Sequence, residues 1–258
     1  MLYVSFFDTR MRLYLNSKNL VILNFNEMSK IVLNIPHANP IFPSENEKLK
    51  WENQELLASL LNTWTDWFTD KIFMPIDENK SFVKSIVFPY SRFYIDVERL
   101  VDDELNKIGQ GIVYTSISGN VRNVNDTSEY MTLYNEHIGS FSSCLDENTI
   151  LIDCHSFPSD WGDVDVCIGY NNDESYSKEL VDTVTNYFES CGYKIGINTP
   201  YSNSLTPVHP ITYKSIMIEL NKRIYMDEEN ISLSDNAEVI HNQINKLYKM
   251  LQEDLCRD

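Results

Sequence analysis

Three short apolar runs constrain this chain more than any other feature. Residues 31–37 read IVLNIPH, residues 149–156 read TILIDCHS, and residues 215–221 read SIMIELN. Each has the β-branched, apolar composition of a buried strand. Each also ends on or contains a side chain that can bind a metal or move a proton: His37, His155 and Glu219. In an open α/β sheet ligands collect at the carboxyl ends of the strands, so side chains far apart in sequence can meet there. Two imidazoles favour zinc or a similar borderline metal, with a carboxylate as third ligand and a position left open for water. Glu219 could then accept a proton from that water, and the combination reads as a hydrolase. The plainer reading makes the histidines hydrogen-bonded structural residues and Glu219 a salt-bridge partner of Lys222 or Arg223. An idle carboxylate inside an apolar strand would be costly, which favours the functional reading of Glu219.

The rest of the chain supplies a frame for those runs. Its 258 residues suit one α/β domain with a sizeable core. Between residues 46 and 73, Leu49, Leu56, Leu57, Leu60, Leu61, Trp64, Trp67 and Phe68 recur at helical spacing, and Asp66 and Asp70 fall four apart on one face of the predicted helix. A strand is predicted near residues 85–88, a long connection over 101–125, and a moderately helical stretch over 127–145 that carries Tyr134 and His137. Further strands at 150–153, 163–169, 193–198 and 215–220 alternate with helices at 175–191 and 232–253. This order predicts a single α/β domain with a mostly parallel, mixed central sheet flanked by helices. Residues 1–28 hold short apolar or alternating runs and read as an N-terminal extension, a short β-meander, ahead of a catalytic domain over 29–258.

Charge and cysteine usage narrow the function classes. A formal net charge of −17 repels phosphate backbones, so no nucleic-acid partner is expected. An anionic small molecule would need a local cation, which draws attention to Arg92, Arg99, Lys222 and Arg223. The five cysteines are scattered without a CxxC pair, as in a cytoplasmic protein with reduced thiols. Cys154 adjoins His155, but neighbouring strand residues point to opposite faces, which opposes a thiol nucleophile. No window approaches the roughly 20 apolar residues of a membrane span, and the opening residues lack a signal-peptide pattern. A cytoplasmic location without a membrane partner is therefore expected.

Seven blocks then fall in order: PHANPIFP (36–43), TDWFTDKI (65–72), YIDVER (94–99), YNEH (134–137), IDCHSFP (152–158), NTPY (198–201) and IELNKRIYM (218–226). With these blocks the chain resembles the N-formylglutamate amidohydrolase family, which is related in fold to the zinc carboxypeptidases and aspartoacylases. The resemblance implies a carboxypeptidase-like fold and hydrolysis, dependent on one zinc ion, of an amide on an acidic amino acid, typically N-formylglutamate giving formate and glutamate. Carried over residue by residue, it implies His37 and His155 as metal ligands, Glu219 as general base, and Arg99 as the clamp for a substrate carboxylate. Relatives with His-x-x-Glu carry a third ligand close to the first, but that position is Pro40 here. The third ligand must come from elsewhere, and Asp66 is preferred to Asp70, although spacing alone does not separate them. His137, Asn198 and Tyr201 stand as substrate contacts. Asp153, two residues from His155 on the same strand face, is placed to orient a ligand, with Asp96 as an anchor for Arg99 or Arg92. The chain departs from the family pattern at Asn39, where Gly is usual, at Glu98, where Asn is usual, and after Tyr201, where no Gly-Gly follows. These departures keep two rivals open: a catalytically altered member that binds an acidic ligand or protein partner, and a hydrolase for other N-acyl amino acids, short peptides or cell-wall amides.

Overall fold

A computed structural model describes residues 11–16, 19–24, 31–203, 205 and 209–255. Within the first 28 residues, β1 (Met11–Asn16) and β2 (Asn19–Asn24) pair antiparallel. The rest of the expected N-terminal meander, including the apolar stretch over residues 2–7, lies outside the described residues. The apolar run after it forms β3 (Ile31–Ile35), and β4 (Val83–Val87) follows the first group of helices. Two short strands, β5 (Ser116–Ile117) and β6 (Asn120–Val121), make a small hairpin inside the long connection. The later strands are β7 (Ile150–Phe157), β8 (Val166–Gly169), β9 (Ile195–Ile197) and β10 (Lys214–Asn221), with a last pair β11 (Met226–Asp227) and β12 (Ser232–Leu233).

Six strands form one mixed sheet in the order β4-β3-β7-β10-β8-β9. The pairs β3–β4, β3–β7, β7–β10 and β8–β9 run parallel, and β10–β8 is antiparallel. The three apolar runs that carry His37, His155 and Glu219 are therefore the adjacent central strands β3, β7 and β10. Burial on both faces explains why they read as continuous apolar stretches rather than as alternation.

The period of two along a strand divides these residues between two layers. Ile31, Leu33 and Ile35, with Ile150, Ile152 and Cys154 and with Ile216, Ile218 and Leu220, pack in one core cluster with α5 (Lys178–Ser190) and α6 (Ala237–Leu255). Helix α5 buries Leu180, Val181, Val184 and Phe188, and Ser177 caps its start by accepting a hydrogen bond from the Leu180 backbone N–H. The intervening positions Val32 and Leu151 join Cys144, Leu145, Leu205 and Tyr213 in a separate cluster near the end of α4 (Ser128–Ser142). Further along that second face the same alternation brings up Asn34, Asp153, His155 and Glu219.

The helix expected over 46–73 is divided into α1 (Glu45–Lys48), α2 (Gln54–Trp64) and α3 (Thr69–Ile72). Helix α2 is capped by the Asn53 side chain and buries Leu57, Leu60 and Leu61. It stops at Thr65, whose backbone is extended (ψ 133°), and Phe68 then adopts a left-handed φ of 65°. Asp66 and Asp70 consequently do not share a helix face. Asp66 sits in the turn between α2 and α3, and Asp70 belongs to the first turn of α3. Helix α6 begins at Ala237 rather than 232, because Ser232 and Leu233 are taken by β12.

Candidate active site

The site forms where the carboxyl ends of β3, β7 and β10 meet the α2–α3 turn. In register, Asn34 on β3 lies beside Asp153 on β7, and His155 on β7 lies beside Glu219 on β10. His37 follows the end of β3, and its carbonyl accepts a hydrogen bond from the Asp66 backbone N–H at 2.9 Å. The Asp66 carbonyl accepts in turn from the Thr69 hydroxyl at 2.8 Å. The break in the predicted helix is thus what carries a carboxylate to the two imidazoles.

Asp66 Oδ2 lies 3.0 Å from His155 Nδ1 and 3.8 Å from His37 Nδ1. The opposite ring nitrogens are engaged by other acids. His37 Nε2 is 2.8 Å from Asp96 Oδ1, and His155 Nε2 is 3.2 Å from Asp153 Oδ1 and 3.7 Å from Glu98 Oε2. A metal-binding imidazole typically ties its second nitrogen to a carboxylate in this way, which fixes the ring and the tautomer. His37 Nδ1 is buried without a hydrogen-bond partner, as a nitrogen reserved for a cation would be. His37, Asp66 and His155 can each offer one donor atom within 4.8 Å of the others, and this nitrogen, oxygen, nitrogen set fits zinc. Glu98, Asp153 and His155 satisfy the same distance condition. That second set is the poorer one, because Asn34 Nδ2 already donates to both Glu98 Oε1 (2.5 Å) and Asp153 Oδ1 (2.8 Å).

The electrostatics follow from burial and pairing. Burial alone would raise the Asp66 carboxyl, but the hydrogen bond to His155 and the nearby His37 imidazole hold it well below the usual carboxylate range. Burial opposes a charge on His155, yet Asp153, Asp66 and Glu98 together lift the imidazole well above its ordinary value. Burial, then the nearby Asp153 charge, pushes Glu98 up to about 7. Glu219 is the outlier. Burial raises it to about 8, and its Oε2 is buried without a hydrogen-bond partner. Arg223 pairs instead with Asp165 at 2.9 Å, and Lys222 Nζ donates to the Thr63 carbonyl at 2.7 Å. Neither takes up Glu219 as a salt-bridge partner.

Asp96 is fully buried and links the imidazole to the arginines. Its Oδ1 meets His37, while Oδ2 lies 3.3 Å from Arg92 Nη2, 3.5 Å from Arg99 Nε and 3.1 Å from the Tyr114 hydroxyl, which donates to it. Both arginines border a cleft of about 580 Å³ that is also lined by His37, Asp66, Glu98, Asp153, His155, Tyr201 and Glu219. The remaining expected residues lie apart from this cleft. Asp70 is half-buried on α3, with its carboxyl raised by burial. Asn198 uses Oδ1 to accept from the Tyr170 backbone N–H at 2.9 Å. His137 is buried, 3.1 Å from Asn34 Oδ1 through Nε2, and its ring meets Phe88 edge-on. Cys154 points into the core beneath α6, and burial raises its thiol well above the ordinary value, so it does not serve the site. Asn39, one of the departures from the family pattern, donates to the Phe88 carbonyl at 3.0 Å.

A sequence profile of the N-formylglutamate amidohydrolase family matches residues 29–226. The chain belongs to that family. Among solved structures, an N-formylglutamate amidohydrolase from Ralstonia eutropha JMP134 is similar at a TM-score of 0.68 and 16% identity, over 97% of this chain and 99% of that one. A gene product of Agrobacterium tumefaciens is similar at 0.58 and 16%, over 87% and 92% respectively. At such identities these two establish the shared fold. No curated protein matches the sequence. The α/β domain with its mixed sheet is thus the architecture of this amidohydrolase family. Among the described residues no helix is long and apolar enough to cross a membrane.

Proposed function

We propose that this chain is a zinc-dependent amidohydrolase that cleaves the amide of an N-acyl amino acid, with N-formylglutamate as the reference substrate. The observation that carries this reading is the opposed arrangement of the two imidazoles. Their Nδ1 atoms converge on one oxygen of Asp66, their Nε2 atoms are tied back by Asp96 and Asp153, and Glu219, whose Oε2 is buried without a hydrogen-bond partner, stands on the next strand.

His37, Asp66 and His155 would hold the ion. When bound, zinc supplies Lewis acidity that acidifies water and polarises an amide carbonyl. Glu219 accepts the proton of the attacking water at its carboxylate and returns it to the departing nitrogen. Burial gives Glu219 a higher proton affinity than an ordinary carboxyl, and a cation held by His37, Asp66 and His155 would favour the ionised form that this task requires. Arg99, backed by Arg92, meets the substrate carboxylate. Asp96 between them holds both guanidinium groups in the cleft wall and keeps the His37 ring turned. Asp153 fixes His155 and is itself held by Asn34 Nδ2 and by the Leu205 backbone N–H at 2.8 Å. Tyr201 packs against Phe157 at the cleft edge, where it can contact the substrate.

The test is metal analysis together with turnover. Purified protein is expected to carry one zinc per chain and to release formate from N-formylglutamate, with both properties lost on chelation and restored by zinc. Protein that neither carries nor gains stoichiometric metal would overturn the reading and favour a binding protein without turnover.

A further inference from the structure

The cleft beside His155 and Asp66 has a wall that a small acidic substrate leaves unused. Trp64 ends α2 two residues before Asp66, and Trp161 lies in the loop that follows β7. Their indoles meet edge to face with centroids 5.3 Å apart, and both line the cleft. Arg92 sits over Trp64 at 5.6 Å from the ring centroid, which holds that indole in place. Trp161 keeps 38% of its surface exposed, so apolar ring surface is presented to the cleft. The volume of about 580 Å³ falls in the range of roughly 300–1,000 Å³ that encloses drug-sized ligands. An amino acid with a one-carbon acyl group fills only part of it.

Charge points the same way. Among the described residues lining the cleft, Arg92 and Arg99 are the lysine or arginine side chains, and both lean on the same oxygen of Asp96. That pair can meet one substrate carboxylate. A second carboxylate, such as the side chain of glutamate, finds Glu98, Asp103 and Asp173 along the cleft rather than another cation.

Resting on the amidohydrolase reading, we propose that the preferred substrate is an N-acyl amino acid carrying a ring-sized apolar group, seated against Trp64 and Trp161. The ring could arrive on the amino-acid side chain or on the acyl group, and N-formylphenylalanine and N-benzoylglutamate separate the two sources. Calorimetry with zinc-loaded Glu219→Gln protein, which should bind without turnover, compares these compounds with N-formylglutamate. At least one ring-bearing compound is expected to bind about tenfold more tightly than N-formylglutamate, and adding Trp161→Ala is expected to erase that margin. Turnover by the parent protein should follow the same order. Equal or tighter binding of N-formylglutamate overturns the proposal, and so does a margin that survives Trp161→Ala. Hydrolysis of N-formylglutamate with no preference for a ring would sink the aromatic site and leave the amidohydrolase reading intact. Failure of every N-acyl amino acid to bind or be cleaved would sink both.

Discussion

Glu219 sits where its charge is disfavoured, and that position makes it directly testable. Glu219→Gln keeps shape and burial but removes the proton acceptor, so kcat should fall roughly 10²- to 10⁴-fold while zinc content stays at the parent level. Full turnover in that variant would take Glu219 out of the chemistry. The same burial predicts a pH effect on stability. The folded protein holds the Glu219 proton up to about 8, against a reference value of 4.5. Its contribution to stability is therefore complete below 4.5 and is lost as pH rises through 8. In metal-free protein, denaturant midpoints should fall across that window, and Glu219→Gln should flatten the fall. A second pair of variants separates the two aspartates: Asp66→Ala should abolish stoichiometric zinc binding, and Asp70→Ala should leave it intact. His37, His155 and Glu219 were legible because a polar group inside a β-branched run needs a partner or a purpose. Asn34 carried the same signal in IVLNI, and its double donation to Glu98 and Asp153 shows what that signal meant. The positions of Asn198 and His137 were not legible, since they depend on which neighbour each side chain reaches.

At the scale of elements, hydrophobic period located the central strands and the later helices well, because each has a single dominant face to bury. It failed between residues 46 and 73. Apolar spacing continues through Trp67 and Phe68, but Thr65 turns extended and Phe68 turns left-handed, and neither change leaves a trace in a hydrophobic pattern. A Gly or Pro would have marked the break, and this segment has none there. Helix α5 offers a control remote from the cleft. Ser177→Ala removes the hydrogen bond that caps its start and should cost about 1 kcal/mol of stability in denaturant titrations. The kcat of that variant should match the parent's. A matching loss of turnover would mean that the α5 layer supports the site more closely than its packing indicates.

For the whole molecule, the proposed ligands come from the end of β3, the α2–α3 turn and β7, so an ion bound by all three would tie distant parts of the chain together. Free zinc at about 100 times its Kd should add roughly 2.7 kcal/mol to the stability of the folded state. For a domain of this size that is roughly 5–10 °C in Tm. Thermal scans with chelator and with added zinc measure it, and an unchanged Tm would mean that the ion does not bridge these segments. The buried carboxylate of Asp96 adds an evolutionary constraint at the same scale, because one group serves both the imidazole of His37 and the guanidinium pair. Any drift that retunes the arginines for a new anion also tilts the ring, which makes that half of the cleft slow to diversify. New specificities should instead accumulate in the loop bearing Trp161, whose side chain can change without disturbing the catalytic groups.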